Sequence, residues 1–389
     1  MTTEMDLSDV DPRVGVLVGG AEPWEPPTAT DVRRWVMAMD YANPLHYDEE
    51  FAQASRFGRI VAPQSFAACI DYGHGVRPSV VGHIPGSHMI FGGEEWWFYG
   101  PRIFPGDRID HERIFQGYKL AETKFAGPTM FSYGDTFHTN QRGDQIAKTR
   151  MTAIRYLAAE AEKREFYREA APAPSWTPEA RADVARTRLD WIKSNREGRT
   201  PHFDEVQTGD RLPRRAIGPH SIESLTTEYR AFIFNAWGAF RWVAPEGVED
   251  PWINQSAGWV GDFAYDWEAA EIDPREGDGL YVGPSRGHTD VSRGEQVGMP
   301  RAYGYGASMG AWTTDYLSYW AGHEGYVRHV NSQFRAPAFE KDVAYLDAEV
   351  IGKLRDSDFG VPVVELRVVM TNQDGVELTR GTAEVELPS

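Results

Sequence analysis

Residues Thr139–Gly143 read Thr-Asn-Gln-Arg-Gly, and Thr371–Gly375 read Thr-Asn-Gln-Asp-Gly, 232 positions later. One short echo constrains little; several in the same order constrain a fold. His46–Asp48 (His-Tyr-Asp) returns as His288–Asp290 (His-Thr-Asp) at an offset of 242, and Phe98–Asp107 returns as Phe334–Asp342 at an offset of 236 at the proline. The order is kept and the offsets drift smoothly, as small insertions and deletions would make them. The chain therefore reads as two copies of one unit, and its 389 residues suit two domains of about 150–200 residues each.

Each copy runs helices first and strands after. In the first, Val32, Trp35, Val36 and Met39 recur at helical spacing, so a helix is expected there with Thr30 or Asp31 as its cap. Asn43-Pro44 ends it, because proline disfavours helical geometry in the residue before it. A short helix near 48–55, a turn at Gly58 and a second helix from about Pro63 to Tyr72 follow. Ser65, Ala67, Ala68 and Cys69 are small and would let a sheet close around that second helix. From residue 88, β-branched and aromatic runs between Gly, Pro and Asn predict strands, with Thr139–Gly143 as a hairpin turn. Residues 159–200 are charged, with a Pro-rich stretch at 171–179, and read as a linker. The second copy repeats the order: a helix near 221–237, an irregular stretch, a helix over 307–322 with Met309, Trp312, Tyr316 and Tyr319 on one face, then strands. The expected division is 1–158, a linker with helices at 159–205, and 206–389. An antiparallel sheet wrapped around one long helix is the natural packing for such a unit, making the chain α+β.

Composition excludes several functions. A net charge of −18 gives no general attraction for nucleic acid or an anionic membrane. One cysteine, Cys69, allows no internal disulfide and fits a reducing compartment. The first residues lack the apolar core of a secretory signal, and no apolar run is long enough to span a bilayer, so a cytoplasmic location is expected. There is no P-loop, no dinucleotide fingerprint around Gly304–Gly310 and no Gly-x-Ser-x-Gly. His74, His83 and His88 lack the spacing of a metal site, so no metal is expected.

The sharpest stretch for chemistry runs from Asp40 to Pro63. Asn43, Pro44, His46, Asp48 and Ala52, followed by Val61–Pro63, resemble the MaoC-like family of (R)-specific enoyl-CoA hydratases, also called hydratase 2. That resemblance covers nearly the whole chain apart from the linker. It implies a double hotdog fold, each half a long central helix wrapped by an antiparallel sheet. It also implies interconversion of a 2-enoyl and a 3-hydroxyacyl thioester, carried by coenzyme A or an acyl carrier, with no other cofactor.

Such chemistry needs a base for water, an acid for the α-carbon and donors for the thioester oxygen. Histidine can serve as the base, and the N-terminus of a buried helix supplies free N–H groups. The residues this marks are His46, Asp40 and His288 for catalysis, and Asn43, Gly58, Pro63, Gly298 and Gly304 around the substrate. The chain departs from the family pattern in both halves. Tyr41 stands where an aspartate is expected, with Asp40 one position away; in the second half Ser285-Arg286 replaces Asn-Pro and Gly283 the aspartate. His46 and His288 are each open to a packing role, and Asp48 and Asp290 read as helix caps. Arg56, Arg59, Arg293, Arg301, Lys148, Arg150 and Arg380 are candidates for gripping phosphate. Trp96, Trp97, Trp312 and Trp320 are candidates for a pocket holding a ring-bearing acyl group. A thioesterase or a non-catalytic acyl-CoA-binding subunit would suit the same fold, and self-association is compatible with it.

Overall fold

The computed structural model describes residues 5–18, 26–70, 77–167, 172–231, 286–288 and 290–389. The first copy supplies α1 (Ala29–Ala38), α2 (Glu49–Ala54), α3 (Phe66–Cys69) and strands β1 (Ser87–Phe98), β2 (Ile109–Thr123), β3 (Gly127–Asn140) and β4 (Gln145–Leu157). The linker carries α4 (Ala158–Arg164) and α5 (Pro178–Ser194). The second copy follows with β5 (Arg215–Ile217), α6 (Ile222–Arg230), α7 (Val291–Gln296), α8 (Gly306–Ala321), β6 (Tyr326–Phe334), β7 (Ala344–Leu354), β8 (Val363–Thr371) and β9 (Glu377–Glu386).

Among the described residues the strands form one nine-stranded sheet in the order β2-β3-β4-β1-β6-β9-β8-β7-β5. The order β1-β4-β3-β2 is mirrored by β6-β9-β8-β7, the signature of a duplicated unit. The copies join where β1 pairs antiparallel with β6, from Gly93↔Gln333 to Trp97↔His329. This seam pairs β1 with β6 and so removes one exposed edge from each copy.

The repeated turns are structural twins. Asn140 Oδ1 accepts from the amides of Arg142 (2.9 Å) and Asp144 (3.0 Å), and Asn372 Oδ1 accepts from those of Asp374 (3.0 Å) and Val376 (2.9 Å). Gly143 and Gly375 take φ of +83° and +77°, a region that favours glycine. The glutamine between them pins the neighbouring loop: Gln141 Nε2 donates to Asp107 (2.8 Å) and Gln373 Nε2 to Asp342 (3.2 Å). Those aspartates also receive the amides of Phe104 and Phe339.

Helix α1 starts two to three residues earlier than a Thr30 or Asp31 cap would place it. Thr28 is the cap, and its exchange of bonds with Asp31 forms a capping box. Helix α8 is buried on every side rather than along one face, because the sheet wraps it and the first copy covers the rest. In the first copy the described central helix is the single turn α3; residues 71–76 lie outside the described residues, as do those beyond 231 in the expected 221–237 helix.

Candidate functional site

His46 and His288 are held identically. Each stands in a 3-10 turn, Pro44–His46 or Arg286–His288. Each Nδ1 lies 2.6 Å from a carbonyl fifteen residues on, Val61 O for His46 and Tyr303 O for His288. A carbonyl only accepts, so Nδ1 carries the proton and Nε2 keeps its lone pair. Burial pushes both imidazoles down to about 3, so both are neutral at physiological pH. Asp48 and Asp290 cap the helices that follow, accepting from Phe51 N and Ser292 N at 3.0 Å. Asn43 builds the first turn, its Oδ1 accepting from Leu45 N at 3.1 Å.

What surrounds the two histidines differs. Beside His288 is a cavity of about 360 Å³. The second copy contributes Tyr303, Gly304, Tyr305, Gly306, Met309 and Phe334; the first copy contributes Met89, Phe91, Phe125, Phe131 and Ile154; the linker contributes Phe166 and Tyr167. The His288 ring stacks on Tyr305 with centroids 3.8 Å apart. Gly306 begins α8, and among the described residues the amides of Gly306 and Ala307 have no backbone acceptor. Lys124 and Arg335 also line the cavity and are exposed to solvent.

At the matching place in the first copy, Ala62, Pro63, Gln64, Phe98, Pro101, Arg102 and Tyr326 enclose about 10 Å³. The offset of 242 that relates the histidines puts Gln64 where the second copy has Gly306. The Gln64 amide fills the space and pairs with the backbone of Val327 in both directions, donating at 2.8 Å and accepting at 3.0 Å. On its other side His46 meets Tyr41, with centroids 5.3 Å apart, and Tyr41 packs on Trp191 of α5 and Tyr319 of α8. The first chamber is filled; the second is open.

The other candidate residues sort accordingly. Asp40 does not substitute for the family's aspartate in this arrangement: its carboxylate pairs with Arg188 of α5, its carbonyl accepts from Arg215 at 2.8 Å, and the Tyr41 ring takes the place beside His46. The helix end leaves Asp40 at φ 52°, which turns the chain but not the carboxylate toward the histidine. Gly58 (φ +66°) and Gly298 (φ +84°) hold matching turns, while Gly304 lines the open cavity and Pro63 the filled one. Among the described residues no tryptophan lines the open cavity; Phe and Tyr make its aromatic walls. Trp320 and Trp191 instead border a separate cleft of about 260 Å³ behind α8. Gly283 and Ser285 and the Arg293 side chain lie outside the described residues. Sequence reading marks Gly58 to Gln64 and Gly298 to Gly306 as the two sites, so Gln64 and Gly306 fall inside them; it misses Phe166 and Tyr167, and the filling role of Gln64 shows there only as its mismatch with Gly306. Among the described residues no three metal-ligating side chains gather, and no helix is long and apolar enough to cross a membrane.

A nine-stranded sheet made of two mirrored units, each with a helix-terminus histidine turn, defines a double hotdog protein. Comparison with known proteins agrees. Residues 24–149 match the family model of the FAS1-like dehydratase domain region. A MaoC-like dehydratase superposes with a TM-score of 0.60 at 15% identity, covering 97% of this chain and 99% of its own. A putative MaoC domain dehydratase from Chloroflexus aurantiacus superposes at 0.54 and 12% identity, covering 97% and 96%. A conserved Mycobacterium tuberculosis protein described as a double hotdog superposes at 0.52 and 13% identity, covering 96% of each. No curated protein matches the sequence. These findings support the MaoC-like resemblance read from Asn43-Pro44-x-His46, and they establish the fold.

Proposed function

We propose that the chain is a hydratase/dehydratase of 2-enoyl and 3-hydroxyacyl thioesters, carried by coenzyme A or an acyl carrier, and that its second copy does the chemistry. The observation that carries this reading is the contrast between copies: an open cavity at His288 and a filled one at His46. His288 is the base. Its Nδ1–H is tied to Tyr303 O, which fixes the ring and leaves Nε2 to take a proton from water in hydration. As the water oxygen bonds the β-carbon, the imidazolium gives that proton to the α-carbon; in dehydration the same nitrogen takes the α-proton and returns it to the leaving hydroxyl.

Negative charge grows on the thioester oxygen as water adds. The amides of Gly306 and Ala307 at the start of α8 are placed to receive it, and the helix dipole favours it. Gly306 is required for access as much as for its amide, since a Cβ there would come within 2.5 Å of Phe91 Cβ. The acyl group lies among Phe91, Phe125, Phe131 and Phe334, walls that suit an uncharged, ring-bearing chain. His46 and Asp40 are then structural residues.

The test is purified protein on short, long and ring-bearing 2-enoyl thioesters, following loss of the conjugated absorbance. Turnover is expected, and His288→Ala should lower kcat/KM by ~10²–10⁴-fold with the fold intact. Equal turnover by wild type and His288→Ala, or release of free thiol in place of hydration, would defeat the reading.

A further inference from the structure

Of the seven cations that sequence reading marked as candidates for gripping phosphate, most have acceptors. Lys148 and Arg150 share Asp135, Arg301 reaches Asp342 and Arg380 reaches Glu377. Arg56 and Arg59 do not: neither takes part in an ion pair or a side-chain hydrogen bond among the described residues. A third arginine, Arg102, stands with them and is likewise without an acceptor. It walls the filled chamber of the first copy and is half-buried.

The three are held by aromatic faces. The Arg102 guanidinium lies 5.4 Å from the Phe57 ring centre and 5.6 Å from that of Tyr326. Arg56 lies 5.1 Å from the same Phe57 ring, and Arg59 lies 4.2 Å from Phe104, which packs on Phe57 at 6.3 Å. The ionisable neighbours that bear on Arg102 are Arg56, Tyr41 and Tyr326, and Arg102 in turn acts on His46 and His323. No carboxylate is among them, although the chain carries a net charge of −18. Burial already pulls the Arg102 pKa down, and Arg56 pulls it further. Ring faces offset only part of what a desolvated cation loses on leaving water.

We propose that Arg102, Arg56 and Arg59 form an anion site on the first copy that takes the phosphate groups of a phosphorylated ligand. Three guanidinium forks without an acceptor among the described residues, two over Phe57 and one over its neighbour Phe104, offer more donors and more charge than a single carboxylate satisfies, and they suit a phosphate dianion or a diphosphate. The site is separate from the His288 cavity, whose own cations are Lys124 and Arg335, and it stands whether or not the chain is a hydratase.

The experiment is calorimetric titration of the full chain at low salt with inorganic pyrophosphate, ADP, coenzyme A and, as a carboxylate control, citrate. Wild type should bind pyrophosphate, with affinity falling as salt rises. Arg102→Met should weaken it at least tenfold while circular dichroism stays unchanged. The Arg56→Met/Arg59→Met double variant, altering exposed residues only, gives the same reading if Arg102→Met fails to fold. Tighter binding of ADP than of pyrophosphate would point to a nucleotide, and tighter binding of coenzyme A than of ADP to the thioester carrier. Absence of pyrophosphate binding at millimolar concentration, equal affinity in the variants, or preference for citrate would overturn the proposal. So would loss of binding on Lys124→Met/Arg335→Met with Arg102→Met unaffected.

Discussion

His46 and His288 make the same bond to the same kind of carbonyl, so their different surroundings decide their roles. His46 is walled by Tyr41 and backed by Gln64, while His288 faces open space beside Gly306. His46→Ala should therefore leave turnover within a few-fold of wild type and lower stability by about 1–3 kcal/mol, checked by steady-state kinetics and urea melts. Gln64→Ala removes a side chain bonded twice to Val327 and should cost about 2 kcal/mol. Both histidines are held neutral, with pKa values near 3. In the unfolded chain they protonate near 6.5, so below that pH the unfolded state binds more protons. Stability should fall as pH drops from about 6.5 toward 3, and a stability-versus-pH series on His46→Ala should show a shallower acid arm. Activity should show no break near 6.5, since His288 does not titrate there; a clear acid limb at that pH would contradict the assigned environment.

Helix α8 is the element on which both copies depend, and Glu94 of β1 lies against it. Among the described residues its Oε2 is buried without a partner, and a Cβ on Gly310 would meet its Oε1 at 1.8 Å. Burial pushes the Glu94 carboxyl up to about 8. The unfolded chain releases that proton near 4.5, the fold only near 8, so between these values the folded state binds more protons. Stability should then decline as pH rises through that window, and Glu94→Gln should remove part of the decline in urea melts at pH 5, 7 and 9. Gly310→Ala should be destabilising in the same assay, because the added Cβ forces the buried Glu94 carboxyl to move. The turns were the most legible elements: Asn140 and Asn372 sit where a hairpin of this geometry needs an acceptor, and Gly143 and Gly375 where it needs a positive φ. Less legible was the burial of α8, since its spacing shows one apolar face and says nothing of Thr313, Thr314 and Asp315, which are also buried.

At the scale of the molecule, the seam between β1 and β6 turns two half-structures into one sheet. A Cβ on Gly93 would come within 2.6 Å of Ser332 O, and one on Gly381 within 1.8 Å of Asn331 O. Gly93→Val should block the join and leave the chain aggregating or partly folded, read by size-exclusion chromatography and circular dichroism. Across this seam the cavity draws walls from both copies and from the linker, so neither half can build it alone. By itself the sequence determined the duplication, the order of helices and strands, the paired turns and the two histidine motifs, because each rests on local backbone geometry and spacing. Only the tertiary structure decided which histidine faces a cavity. That depends on Gln64 reaching Val327 and on Tyr41 meeting Trp191 and Tyr319, contacts between residues 150 or more positions apart. Volume left or filled by side chains from distant segments has no period and no motif, so it becomes visible only when the chain is folded.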